Sequence, residues 1–392
     1  VKHVAIIAFP DFGHVNPALH LGRQLAERGV RVTYILDEVN RPAVEAAGGA
    51  LIGYPGNRLR LGGESSVGAG RMFEVMLGFQ THTVEVILPQ VRAALDQDVP
   101  DLLIYDYESF VAGRTLARAW DCPTVLFAPA IASNEHYSVH AEAFADDMTE
   151  MKQGVEELFA LLSRVEPDEE AAWSLMTPLY DEPTVVFLPR EYQPEGDTFD
   201  DRFTFVGHCV PDTPPDSDWR PPETGARVAL ISLGTESNER AGFFRTCAEA
   251  FDDGGWHAVM TLGRGNTAHD IPVAPNLESH EWLPHAAVLP HASALVCHGG
   301  IGSIMEALYF GCPVVIVPHT PEHIVNGRRL VELGLGVVYN TDEMVPGTLR
   351  QVVDDLASDP VVQDRLDHMS AAIRGAGGAA RAADMVEKIL AG

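Results

Sequence analysis

Long apolar runs, paired cysteines and a surplus of basic residues are all missing from this 392-residue chain. No stretch of about 18 or more consecutive apolar residues occurs, so no membrane-spanning helix is expected. The opening Val1-Lys2-His3 and the short apolar run stopped by Pro10-Asp11 read as a strand and not as a secretion signal. The five cysteines, Cys122, Cys209, Cys247, Cys297 and Cys312, include no Cys-x-x-Cys pair. They read as reduced, mostly buried residues of a cytoplasmic enzyme. No His-Glu-x-x-His or other metal-site spacing occurs, so neither a metal nor any other cofactor is expected. Only 27 Lys and Arg stand against 56 Asp and Glu, a net charge of −29. Such a surface repels polyanions, which argues against a nucleic-acid partner. A chain this acidic that bound a diphosphate would have to reverse its own field locally, through backbone N–H groups, a helix N-terminus and nearby His or Arg.

The length exceeds what one ordinary hydrophobic core holds and predicts two domains. Short apolar strands alternate with helical segments in two blocks. Val4–Phe9, Val30–Ile35, Leu102–Tyr105 and Thr124–Ala128 form the first, and Val228–Ser232, Ala258–Leu262, Leu295–Cys297 and Val314–Val317 the second. That alternation predicts an α/β chain with parallel sheets and right-handed crossovers, built as two doubly wound domains facing each other across a cleft. A Pro- and Asp-rich stretch from Val210 to Glu223 reads as an exposed, stiff linker. The expected boundaries are residues 1–212 for the N-terminal domain, 213–225 for the linker and 226–375 for the C-terminal domain.

The segment Trp282-Leu283-Pro284-His285, followed by His298-Gly299-Gly300-Ile301-Gly302-Ser303-Ile304-Met305-Glu306, carries the most chemistry. Ala294–Cys297 reads as a buried strand and Gly302–Phe310 as a helix with Ile304, Ala307 and Leu308 inward. A strand-to-helix turn directs free N–H groups outward, and the helix dipole adds positive potential there. Gly299, Gly300 and Gly302 let a phosphate approach the backbone, while His298 and Ser303 add side-chain donors. Trp282 can stack on a base, and Glu306 can accept hydrogen bonds from ribose hydroxyls. The plain alternative is a turn whose glycines serve geometry alone. A second cluster, Gly13-His14-Val15-Asn16-Pro17, follows the strand Val4–Phe9. Asn16 is expected to cap the next helix, with Pro17 in its first turn and Ala18, Leu21 and Leu25 inward. His14 would then stand at the carboxyl end of the first strand, the edge where open α/β sheets bind ligands.

Trp-x-Pro-x, then His-x-Gly with Ser and a Glu eight residues after the His, together with Gly-His-x-Asn-Pro near the start, resembles family 1 glycosyltransferases. The closest look is to bacterial natural-product enzymes of the macrolide type. The resemblance covers nearly the whole chain. It implies the GT-B architecture of two Rossmann-like domains, an acceptor-binding N-terminal domain, and a nucleotide-sugar-binding C-terminal domain. It also implies that a final helix, about residues 376–392, packs back on the first domain. It makes His14 the catalytic base and Asp106, in Pro100-Asp101-Leu102-Leu103-Ile104-Tyr105-Asp106, its partner. Read from the residues alone, Asp106 serves equally as the cap of the helix near Glu108. The resemblance also tips Thr235, in Ser232-Leu233-Gly234-Thr235, toward the donor phosphates; Arg264 is a weaker candidate. The chain departs from the family pattern at three positions. His285 stands where Gln is usual, and Glu322-His323 stands where Asp-Gln typically meets the sugar. These changes leave the sugar, and UDP against dTDP, undecided.

The implied reaction is an inverting, metal-independent transfer from a nucleoside-diphosphate sugar to a hydroxyl of a hydrophobic acceptor such as a macrolide or other polyketide. The expected acceptor walls are the Gly-rich loop Leu61 to Arg71, the helix carrying Phe73 and Phe79, Phe110, and the segment from Phe127 through Ile131 to Tyr137. A nucleotide-sugar epimerase of the same architecture would not need Gly-His-x-Asn-Pro. A noncatalytic binding protein should have lost the His14–Asp106 pair. Oligomeric state, including a homodimer, is left open by the sequence.

Overall fold

A computed structural model of the chain describes residues 1–56, 68–145, 148–166, 168–177, 181–210, 217–234, 240–263, 266, 271–272, 274–339 and 345–392. The chain divides into two compact units. One comprises Val1–Leu59, Ala69–Cys209 and Ala376–Gly392; the other comprises Arg60–Gly68 and Val210–Gly375.

The first unit holds a seven-stranded parallel sheet. Its strands are β1 (His3–Ile7), β2 (Arg31–Asp37), β3 (Ala50–Tyr54), β4 (Leu102–Asp106), β5 (Thr124–Ala128), β6 (Thr184–Val186) and β7 (Phe203–Phe205), in the order β3-β2-β1-β4-β5-β6-β7. β1 and β4 are apolar along almost their whole length because helices cover both faces of a parallel sheet. One layer of core joins Val4, Ile6, Leu102 and Ile104 to Ala18, Leu21 and Leu25 of the helix Phe12–Glu27 and to Ala382, Ala383 and Val386 of the helix Gly378–Ala391. The opposite layer joins Ala5, Ile7, Leu103 and Tyr105 to Phe79, Ile87, Val91 and Leu116.

The C-terminal helix is therefore part of the first unit's core. Arg28 adds hydrogen bonds of 2.7 Å to Asp384 and 2.7 Å to Glu387, and Gly378 N–H donates to the Val206 carbonyl at 2.7 Å.

The second unit holds a six-stranded parallel sheet. Its strands are β8 (Arg227–Ser232), β9 (Trp256–Thr261), β10 (Leu277–His280), β11 (Ala292–Cys297), β12 (Val314–Ile316) and β13 (Gly336–Val338), in the order β10-β9-β8-β11-β12-β13. Each unit is thus Rossmann-like and doubly wound. In each, the chain builds outward from the first strand, then returns to that strand's other side. The strand order reverses between β1 and β4 in one unit and between β8 and β11 in the other. Loops leaving such a reversal in opposite directions open a crevice at the carboxyl edge of the sheet. Trp219, in the stretch expected to be an exposed linker, is buried, and its indole N–H donates to Glu278 on β10 at 3.1 Å. No helix among the described residues is long and apolar enough to cross a membrane.

Candidate active site

At the reversal between β1 and β4, His14 and Asp106 meet. The helix after β1 starts at Phe12, five residues earlier than expected. Its cap is Asp11, whose side chain accepts the Gly13 N–H at 2.9 Å; Asn16 does not cap, and Pro17 lies inside the helix. The correction has a simple cause: Asp11 is as good a cap as Asn16 and comes first; Pro17, sixth in the helix, merely lacks the N–H that would have met the Gly13 carbonyl. His14 consequently sits in the first helical turn. Its Nδ1–H donates to Asp106 Oδ2 at 2.6 Å.

Asp106, the last residue of β4, is fully buried. Its Oδ1 accepts the Glu108 N–H at 2.8 Å and so caps the short turn Tyr107–Ser109. The two roles open to this carboxylate in the sequence are thus filled together, one by each oxygen. With Nδ1 engaged, Nε2 is the ring nitrogen left for proton transfer. Burial opposes charge on His14, but the charge and hydrogen bond of Asp106 outweigh it and push its pKa up to about 9. The ring packs between Phe9 at 5.3 Å and Tyr107 at 5.7 Å, and Phe9 in turn rests on Phe79 at 4.8 Å.

At the reversal between β8 and β11, the loops carrying Gly234 and His298 touch. Gly234 has φ +79°, and a Cβ there would fall 2.8 Å from the His298 ring. His298 also packs on Gly300, the N-cap of the helix Ile301–Tyr309. Gly299 has φ +101° with Ile316 and His323 pressed against the space a side chain would fill, so only glycine fits this turn. The Asn326 amide fixes it by donating to the Gly299 carbonyl at 3.0 Å.

Gly302 and Ser303, in the first turn of this helix, are partly exposed, and Ile304, Ala307 and Leu308 are buried. Free N–H groups and the positive helix end are therefore presented where an anion can reach them. Trp282 is 63% exposed, an uncommon state for so large an apolar ring. His285 sits between Ser232 Oγ, 3.2 Å from its Nε2, and Glu306 Oε2, 3.3 Å from its Nδ1. The departure from Gln at this position thus places an imidazole against the carboxylate expected to meet a ribose.

Residues 251–379 match the family described as "Erythromycin biosynthesis protein CIII-like, C-terminal domain". The demethyllactenocin mycarosyltransferase of Streptomyces fradiae is 34% identical, over all of this chain and 87% of its own. The oleandomycin glycosyltransferase of Streptomyces antibioticus is 31% identical, over 98% of this chain and 90% of its own. The crystal structure of the calicheamicin glycosyltransferase superposes with a TM-score of 0.83 at 36% identity, covering all of this chain and 98% of the other. The chain belongs to this GT-B glycosyltransferase family.

The glycosyltransferase moves a sugar from a nucleoside-diphosphate sugar to a small-molecule acceptor. Of the donor-side residues read from its sequence, His285 and Glu306 lie side by side, while His298, Gly300, Gly302 and Ser303 share one turn and helix start. Glu322 and His323 lie in the first turn of the helix Pro321–Glu332, with His323 buried and its ring 4.6 Å from that of His298. Thr235 and Arg264 lie outside the described residues, as does the part of the Gly-rich acceptor loop from Leu61 to Val67.

On the acceptor side, Phe79 and Ile131 are buried. Phe110 packs against two core clusters with the Arg114 guanidinium 5.4 Å over its ring, and half-buried Phe73 packs on Phe144 at 5.0 Å. Sequence reasoning passed over Asn326, His319 and Arg240, all buried near the Gly-rich turn or its imidazoles. The first two lie in the Pro318–Asn326 segment, where a His-rich stretch after a strand was the available signal. Among the described residues, no group of three or more His, Cys, Asp or Glu is arranged to hold a metal ion.

Proposed function

We propose that the glycosyltransferase inverts the anomeric carbon in one displacement, with His14 as general base. The observation that carries this reading is the 2.6 Å hydrogen bond from His14 Nδ1 to buried Asp106 at the β1/β4 reversal. Nε2 takes the proton of an acceptor hydroxyl. The oxygen attacks the anomeric carbon of a UDP- or dTDP-sugar as the nucleoside diphosphate departs from the opposite face. Asp106 fixes the tautomer and stabilises the imidazolium once it forms. Trp282 stacks on the base, and Glu306, aligned by His285, takes the ribose hydroxyls. His298, Ser303 and the helix start at Gly300 meet the charge growing on the diphosphate, and Glu322 and His323 serve the sugar side.

The acceptor is a hydrophobic molecule bearing a hydroxyl, such as a macrolide or other polyketide, held against Phe73 and Phe110, whose partly exposed rings offer apolar surface. The demethyllactenocin, oleandomycin and calicheamicin glycosyltransferases among its relatives support that class. The test is a mass-spectrometric transfer assay crossing UDP-glucose and several dTDP-sugars with macrolide, polyketide and phenolic acceptors. The anomeric configuration of each product is then read by NMR. Inversion is expected from every productive pair, and retention from any of them would overturn the single-displacement reading.

The proton balance of His14 sets the pH response. Its base form is neutral, and with the pKa at about 9 only a small fraction is neutral at pH 7. For an acceptor that does not itself titrate, kcat/KM should climb about tenfold per pH unit from pH 6.5 and level off near 9. The stability from the His14–Asp106 pair runs the other way. It is fully present below the ordinary His value of 6.5 and is lost as pH rises through about 9. A flat kcat/KM profile between pH 6.5 and 9 would remove His14 from the base role. Turnover is also expected to survive excess EDTA unchanged, because the charge on the diphosphate is assigned to His298, Ser303 and a helix N-terminus. Loss of activity with EDTA, restored by Mg²⁺ or Mn²⁺, would show that assignment to be wrong.

A further inference from the structure

His319, in the strand-to-helix turn after β12, has no place in the reading above. It is 2% exposed, yet neither ring nitrogen makes a well-formed hydrogen bond; only the Pro318 backbone lies close enough to favour its protonated form. Native proteins seldom leave a buried imidazole so poorly paired. The residue immediately precedes Thr320, which caps the twelve-residue helix Pro321–Glu332 by accepting the His323 N–H at 3.3 Å. The His319 backbone N–H donates to His323 Nδ1 at 3.3 Å. The His319 ring lies 6.4 Å from that of His323, which lies 4.6 Å from that of His298. Three imidazoles therefore lead from the Gly-rich turn to a second helix N-terminus.

Among the described residues, the side chains acting most strongly on this group all disfavour its protonation. Burial first, then the Arg240 guanidinium and His298, hold the His319 pKa down to about 3 against a hydrogen bond with the Pro318 backbone, and burial, then His298, His319 and Arg240, hold His323 low. Among the described residues, no carboxylate is one of the groups acting most strongly on either ring; Glu322, next along the helix, is partly exposed. A guanidinium and a helix start beside an imidazole short of partners suit a ligand that is anionic and accepts hydrogen bonds.

We propose that His319 is a phosphate-contacting residue of the donor site, holding the second phosphate of the nucleoside diphosphate together with His298. This assignment rests on the donor-binding reading of the second unit. Since the ring is buried, the contact requires it to turn outward as the anion binds.

The experiment is calorimetric titration of the full chain with UMP, UDP and UDP-glucose, and with dTMP, dTDP and a dTDP-sugar. Wild type is compared with His319→Leu and His319→Gln. Leucine fills a similar volume without polar atoms, so His319→Leu should fold with an unchanged or higher Tm. It should bind the diphosphates about 10- to 100-fold more weakly while binding the monophosphates as wild type does. Glutamine, which again supplies a donor, should recover most of the loss. Equal weakening of mono- and diphosphates, or a loss appearing only with the sugar attached, would overturn the assignment. So would a stable His319→Leu that binds everything as wild type does. If wild type itself binds none of these nucleotides, the donor-site reading fails first, and that result is distinct from the others.

Discussion

Replacing His14 with Ala should lower kcat/KM for sugar transfer by about 10²–10⁴-fold, the range that a positioned general base supplies. Truncation also leaves the Asp106 carboxylate fully buried and without its His14 partner. Removing one member of a buried pair typically costs about 3–5 kcal/mol, so the Ala variant should melt earlier. His14→Asn separates the two effects. Its amide can still donate to Asp106, so stability should largely return, but an amide is no base at neutral pH. Both variants should therefore be slow, and only one should be unstable. Donor affinity should stay unchanged in each, because every residue assigned to the nucleotide lies in the second unit. Near-wild-type turnover by a folded His14→Asn would transfer the base role to another group.

Asp106→Asn is expected to act through the proton's position more than through packing. The Asn carbonyl can keep accepting the Glu108 N–H, now 2.8 Å away, which leaves the local cap in place. Its NH₂ then faces His14 Nδ1. That nitrogen must switch from donor to acceptor, which moves the imidazole proton to Nε2 and blocks the atom that should receive the acceptor's proton. A misplaced tautomer of this kind lowers rates by roughly 10³–10⁴-fold in the serine-protease triad, and a loss of that order is expected here. The same change removes the charge that pushes His14 up to about 9, so the inflection in the remaining activity should move down toward 6.5. A full rate with an unmoved inflection would mean that Asp106 serves only as a cap.

What the sequence made legible follows from how each element is buried. Thr124–Ala128 is read with the observed limits, and Leu102–Tyr105 stops one residue short, because interior strands of a parallel sheet are unbroken apolar runs. The strands passed over lie at or beside an edge. Ala50–Tyr54 is an edge strand interrupted by Gly53, Leu277–His280 carries Glu278 and His280, Gly336–Val338 is three residues long, and Thr184–Val186 and Phe203–Phe205 are equally short. Partial burial or three-residue length leaves no periodicity to read.

The same division holds at the site. His14 and Asp106 are 92 residues apart, but Asp106 ends β4 and His14 opens the helix that follows β1, so the topology that pairs β1 with β4 also brings them together. The start of the helix at Phe12 was missed because two capping side chains, Asp11 and Asn16, compete and only local geometry chooses between them. His319 was marked only by the His-rich stretch it belongs to. What sets it apart is a buried ring short of partners, a property of three-dimensional surroundings and not of spacing.

The helix Gly378–Ala391 has a consequence for how the chain is made. Synthesis runs from the amino end, and a domain generally folds as soon as it clears the ribosome. Here the first unit cannot close on that schedule. Ala18, Leu21 and Leu25 pack on Ala382, Ala383 and Val386, which are added more than 350 residues later. The second unit, nearly continuous from Val210 to Gly375, is complete before they appear. The domain translated first is the one finished last. Through most of translation its helix Phe12–Glu27 carries an uncovered apolar stripe, a natural target for chaperones and a reason for truncations near residue 376 to aggregate during expression.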